Sequence, residues 1–122
     1  MKRLGYHGLW EINDSPSELL KFEKTIKPFM DAVADTANLT VLSRNFKQFS
    51  PYGVTGVFLL SESHLSIHTW PEHGYAALDL FSCKKFNASL IKELIKEHFE
   101  TETIVFTSIE RGLIDRLELK SQ

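Results

Sequence analysis

The stretch HLSIHTWPEHGYAALDLFSC, residues 64–83, decides the fold. Ile67 and Thr69 are β-branched and Trp70 is a strand former, so residues 64–70 read as one strand and YAALDLFSC, residues 75–83, as the next. Between them PEHG supplies the proline and glycine of a four-residue hairpin loop. That loop sets Trp70 opposite Tyr75, His68 opposite Ala77 and Glu62 opposite Cys83, to within one residue of register. Alternation then places His64, Ser66, His68 and Trp70 on one face and Leu65, Ile67 and Thr69 on the other. The polar chemistry collects on one surface, and the apolar surface is left to face a core.

Outward from the hairpin, LTVLSRNFKQF and GVTGVFLLS read as two earlier strands divided by the turn signal SPYG. LGYHGLWEI opens the chain as a strand and TIVFTSIE reads as the last one. NDSPSE carries cap residues, a proline and an early acid, which predicts a helix starting near Ser15. Its apolar face comprises Leu19, Leu20, Phe22, Ile26, Phe29, Met30, Val33 and Ala37, and Pro28 is expected to kink or split it. A second amphipathic helix spans about Ala88 to Phe99, with Leu90, Ile91, Leu94, Ile95, His98 and Phe99 along one side.

Together these elements predict an α+β fold, a two-layer sandwich of mainly antiparallel sheet with helices on one face. At 122 residues the chain has room for a single domain, residues 1–122. Two helices cover one face of the sheet. The cover expected for the other face is a second copy of that sheet, giving a homodimer with a four-layer αββα arrangement.

With 43% hydrophobic and 25% charged residues and a formal charge of −2, the composition is that of a globular protein, and no basic tract points to nucleic acid. Cys83 is the single cysteine, so an intrachain disulfide is excluded. Glu11 falls too early for a secretory apolar region, and no segment reads as a membrane span. A cytoplasmic setting is expected.

His64, His68, Glu72 and His73 are metal-ligand types, but the strand spacing separates His64 from His68 by roughly 13 Å, so no metal is expected there. A serine hydrolase would need a Gly-x-Ser-x-Gly elbow, which the chain lacks. Taken singly, Phe49 and Trp70 read as core or contact aromatics, Cys83 as a small buried residue, and His64 and His73 as a flanking and a loop histidine. Glu11 is either a pocket acid or an exposed one.

FSPYGVTGVFLLSESHLSIHTWPEHGYAALDLFSC, with SESH, IHTWPE and GYAA in order, resembles the core of the prokaryotic S-adenosylmethionine decarboxylase proenzyme family, pyruvoyl enzymes of polyamine biosynthesis. The resemblance runs from about Phe46 to Cys83 and thins outside it to LGYH and to ERG at 110–112. It implies self-cleavage between Glu62 and Ser63 into residues 1–62 and 63–122, with Ser63 converted to a pyruvoyl cofactor. By the same resemblance His68 removes a proton during elimination, the hydroxyl of Thr55 assists processing, and Cys83 returns a proton after decarboxylation. Phe49 would stack on adenine, Trp70 would face the sulfonium, and Glu72 would hold the ribose hydroxyls of S-adenosylmethionine.

Ser63 and His68 are five residues apart, hence on opposite faces and roughly 16 Å distant in a straight strand. Either the strand bends sharply, or His68 serves the Ser63 of a second protomer; the resemblance implies the latter. Two departures stand out, Thr55 where the family usually has serine and Lys84 where it has glycine. Ornithine or arginine is the alternative substrate, with Asp79, Glu11 or Glu72 for the distal cation. An unprocessed regulatory homologue is a third reading.

Overall fold

The computed structural model describes residues 3–61 and 63–114. Its elements are β1 (Arg3–Ile12), α1 (Glu23–Thr36), β2 (Val41–Gln48), β3 (Val54–Leu60), β4 (Ser63–Trp70), β5 (Tyr75–Ser82), α2 (Ala88–Phe99) and β6 (Ile104–Leu113). The strands form one six-stranded sheet in the order β2-β3-β4-β5-β1-β6, antiparallel throughout. This is the expected α+β fold.

The β4–β5 hairpin has the anticipated register, with Trp70 opposite Tyr75 and His68 opposite Ala77. Gly74 closes the loop at φ 60°, and a Cβ there would lie 2.9 Å from the Ser15 carbonyl oxygen, which is why this position is glycine. Glu62 lies outside the described residues, so its pairing with Cys83 does too. Leu65, Ile67 and Thr69 are buried, as are Ala76, Leu78 and Leu80 across the hairpin. With Trp10, Ile12, Phe58 and Leu60 they meet Ile26, Phe29, Met30 and Val33 of α1 and Ile91, Ile95 and Phe99 of α2 in one core. The opposite face of the sheet leaves Val57, Leu59, Val105 and Ile109 exposed.

The first helix starts at Glu23, not near Ser15. SEL instead forms a short 3₁₀ turn at Ser17–Leu19, and Phe22 is extended. The reason is competition for one carbonyl. The Lys21 oxygen, which a continuing helix would offer to Thr25, accepts from Gly53 N at 2.9 Å and from the Gln48 side chain at 2.9 Å, while Thr25 N turns to Phe22 O. Leu20 still reaches the core, but Phe22 is exposed. Pro28 lies within a continuous α1, costing one backbone bond in the second turn. In α2, Asn87 caps the N-terminus by accepting from Leu90 N at 3.1 Å, and Leu90 faces solvent because the apolar stripe runs through Ile91, Ile95 and Phe99.

His98 packs beside Phe29 with ring centroids 5.2 Å apart, and its Nε2 is buried with no hydrogen-bond partner among the described residues. Burial pushes its pKa down, and the Thr25 backbone offsets this only in part. A folded-state pKa below the unfolded value of about 6.5 means that stability is complete above that value and declines as pH falls through it. Thermal melts between pH 7.5 and 5 should show a steeper decline for the parent than for His98→Leu.

Candidate active site

Two clusters lie at opposite ends of β4, and a third lies on the open face of the sheet between them. At the C-terminal end of β4, Thr55 and His68 are paired across β3 and β4, and Thr55 Oγ1 lies 3.1 Å from His68 Nδ1. They line a pocket of about 280 Å³ together with Phe49, Trp70 and Glu72. Five residues singled out from the sequence therefore converge on one cavity. The His68 and Trp70 rings are 6.2 Å apart, and Phe49 and Trp70 are 46% and 43% exposed, so both aromatics present surface rather than filling the core.

Tyr52, Gly53, Thr69 and Pro71 complete this lining and were not anticipated. Tyr52 sits in the SPYG turn beside Phe49, which was its only sequence signal. Thr69 is a buried anchor: its Oγ1 accepts from Val54 N at 2.9 Å and donates to Leu20 O at 2.8 Å, joining β4 to β3 and to the turn before α1. Glu11 does not line the pocket. It is exposed and accepts a short hydrogen bond from the Tyr75 hydroxyl, whose ring lies 5.4 Å from that of Trp70.

At the other end of β4, Ser63 and Cys83 line a second pocket of about 210 Å³ with Ser61, Ser82, Lys84, Leu39 and Thr40. Ser63 Oγ donates to Ser61 O at 3.2 Å, and Cys83 is exposed. Lys84 donates to Asn38 O at 2.7 Å and so ties the strand end to the end of α1.

Between the two pockets, Asp79 accepts from His7 Nε2 at 2.8 Å and His64 Nε2 at 3.1 Å on one oxygen and a short bond from Ser66 on the other. Burial alone would raise its pKa, but these three bonds outweigh it and hold the carboxyl below its ordinary range. His7, His64 and Asp79 offer ligand atoms within 4.8 Å of one another. Arg111, however, sits 3.4 Å from His7 Nδ1. A guanidinium only donates, so the His7 proton belongs on Nε2, the atom a metal would need bare. The geometry is that of a hydrogen-bonded network.

The pairing of β3 with β4 runs from Thr55↔His68 to Leu60↔Ser63 without a shift. No bulge interrupts β4 between Ser63 and His68. Five residues of straight strand separate Ser63 from His68 of the same chain by roughly 16 Å.

Residues 6–112 match the family model for S-adenosylmethionine decarboxylase. The chain is 39% identical to an S-adenosylmethionine decarboxylase proenzyme of Thermodesulfovibrio yellowstonii over 115 residues, covering 93% of this chain and 85% of that protein. It is 41% identical over 117 residues to the proenzyme of a Sulfurihydrogenibium species, covering 93% and 86% respectively. Its fold superposes on the crystal structure of the adenosylmethionine decarboxylase from Aquifex aeolicus with a TM-score of 0.84 at 34% identity, over 93% of this chain and 95% of that one. The chain belongs to the S-adenosylmethionine decarboxylase family.

Proposed function

We propose that this chain is a proenzyme that cleaves itself between Glu62 and Ser63 and then decarboxylates S-adenosylmethionine, supplying the aminopropyl donor for spermidine. The observation that carries the substrate assignment is the 280 Å³ pocket, where Phe49, Trp70 and Glu72 meet Thr55 and His68. Aromatic faces suit adenine and a sulfonium, and a carboxylate accepts from two ribose hydroxyls at once. Two acids that an ornithine or arginine site would call on are already engaged, Asp79 by His7, His64 and Ser66, and Glu11 by Tyr75.

In the processing step Ser63 Oγ attacks the Glu62 carbonyl carbon, and the amide bond breaks as an ester forms. Loss of the Ser63 α-proton to His68 expels Glu62 as the carboxylate of fragment 1–62 and leaves dehydroalanine at position 63. Hydrolysis then releases ammonia and leaves a pyruvoyl group on fragment 63–122. The residues around Ser63 fit such a group, since the cavity there is polar, open and shared with Cys83. Once formed, the group supplies a carbonyl that captures the substrate amine and draws electrons as carbon dioxide leaves. Cys83 then delivers a proton to the substrate carbon.

The separation of Ser63 from His68 along an unbroken strand supports a homodimer in which the open sheet faces pack together, making the four-layer αββα arrangement. Ser63 and Cys83 of one protomer then meet Thr55, His68, Phe49, Trp70 and Glu72 of the other, twice per dimer. No described helix is long and apolar enough to cross a membrane, and we place the reaction in the cytoplasm. Carbon dioxide release measured from S-adenosylmethionine, ornithine and arginine in parallel tests the reading. Turnover should be confined to the first, and release from either amino acid alone would replace it.

A further inference from the structure

Gln48 is exposed, ends β2 and does not line either pocket, yet its side-chain amide makes four hydrogen bonds. Oε1 accepts from Glu23 N at 2.7 Å, while Nε2 lies 2.9 Å from Lys21 O and 3.1 Å from both Phe49 O and Gly53 O. The orientation of the amide is forced. A backbone N–H can only donate and three carbonyls can only accept, so a flipped amide would lose every bond.

Glu23 is the first residue of α1, and the preceding Phe22 provides no side-chain cap; Gln48 supplies one from across the fold. The other end of the same amide gathers both ends of the turn 49–53, which is already pinched by Phe49 N on Gly53 O at 2.8 Å and by Gly53 N on Lys21 O at 2.9 Å. Phe49, Tyr52 and Gly53 of this turn form one wall of the larger pocket, whereas Thr55 and His68 stand on β3 and β4, to which the amide makes no hydrogen bond among the described residues.

We infer that Gln48 is a positioning residue for substrate binding: it clamps the turn 49–53 to the start of α1 and so fixes the aromatic wall of the pocket. The inference rests on the proposed S-adenosylmethionine site. It separates two functions of one cavity, because processing draws on Thr55 and His68 and substrate binding draws on the turn. Loss of the clamp weakens the second and spares the first.

Two variants of the processed enzyme test this. Gln48→Met keeps the length and removes all four bonds. Gln48→Glu keeps the acceptor for Glu23 N but sets a carboxylate against three carbonyl oxygens. KM for S-adenosylmethionine should rise about tenfold in Gln48→Met and at least as much in Gln48→Glu, with kcat within about twofold of the parent. Self-cleavage should proceed at the parental rate, and amide hydrogen exchange should accelerate at residues 49–53. A role limited to folding would instead lower the yield of cleaved chain and leave KM unchanged in the cleaved fraction, which would overturn the inference. So would unchanged exchange at residues 49–53. Parent enzyme that binds no S-adenosylmethionine would overturn the functional reading; parent enzyme that binds it, with both variants binding equally well, would overturn only the role of Gln48.

Discussion

A chain carrying Ser63→Ala should persist as one intact polypeptide of 122 residues, while the parent should resolve under denaturing mass spectrometry into fragments 1–62 and 63–122. The second parental fragment should have no free N-terminal amine. The expected effect is complete, because in the proposed processing the substitution removes the atom that attacks the Glu62 carbonyl and also the oxygen that leaves in the elimination. Its structural cost is small. Ser63 is at the beginning of β4, only partly buried, and its hydroxyl makes one exposed bond among the described residues, to Ser61 O at 3.2 Å. Replacements at such positions usually change stability by within about 0.5 kcal/mol. The melting temperature of Ser63→Ala should therefore match that of the uncleaved parent, and decarboxylation should vanish with cleavage. Fragments from Ser63→Ala, or a parent that stays intact after long incubation, would remove the self-processing reading.

The parts of this molecule that sequence made legible are those set by neighbours along the chain. The hairpin register followed from the four residues of PEHG, and the division of β4 into a polar and an apolar face followed from alternation alone. The bounds of α2 followed from its apolar stripe. The illegible parts were settled by distant partners. NDSPSE has every signal of a helix start, but the Lys21 carbonyl is taken by Gly53 and Gln48, and local propensity lost to those bonds. The same bonds made Gln48 invisible, since nothing in FKQF marks a glutamine that reaches back 25 residues to Glu23. His7 and Asp79, 72 residues apart, meet because β1 inserts beside β5, a topology that periodicity does not encode. Phe49 and Glu72 were both picked out through resemblance, and their placement in one cavity needed the pairing of β3 with β4.

Co-expression of a Ser63→Ala chain with a His68→Ala chain should restore cleavage to the second of them. Alone, His68→Ala lacks the group that takes the α-proton, and its processing should slow by about a hundredfold or more. If the sites are shared, a mixed dimer contains one site with both lesions and one that joins the intact Ser63 of the His68→Ala chain to the intact His68 of its partner. Only the His68→Ala chain is then cleaved, and with equal expression and random pairing about half of its copies should be. Differently sized tags identify which chain is cut. The shared-site reading is supported by the unshifted β3–β4 ladder between Thr55↔His68 and Leu60↔Ser63, since five residues of extended strand span roughly 16 Å. A site within one chain predicts the opposite pattern, with neither chain rescued in any dimer. Isolated mixed dimers that leave the His68→Ala chain uncut would therefore refute the shared site, and a bend of β4 between Ser63 and His68 would then be required during processing.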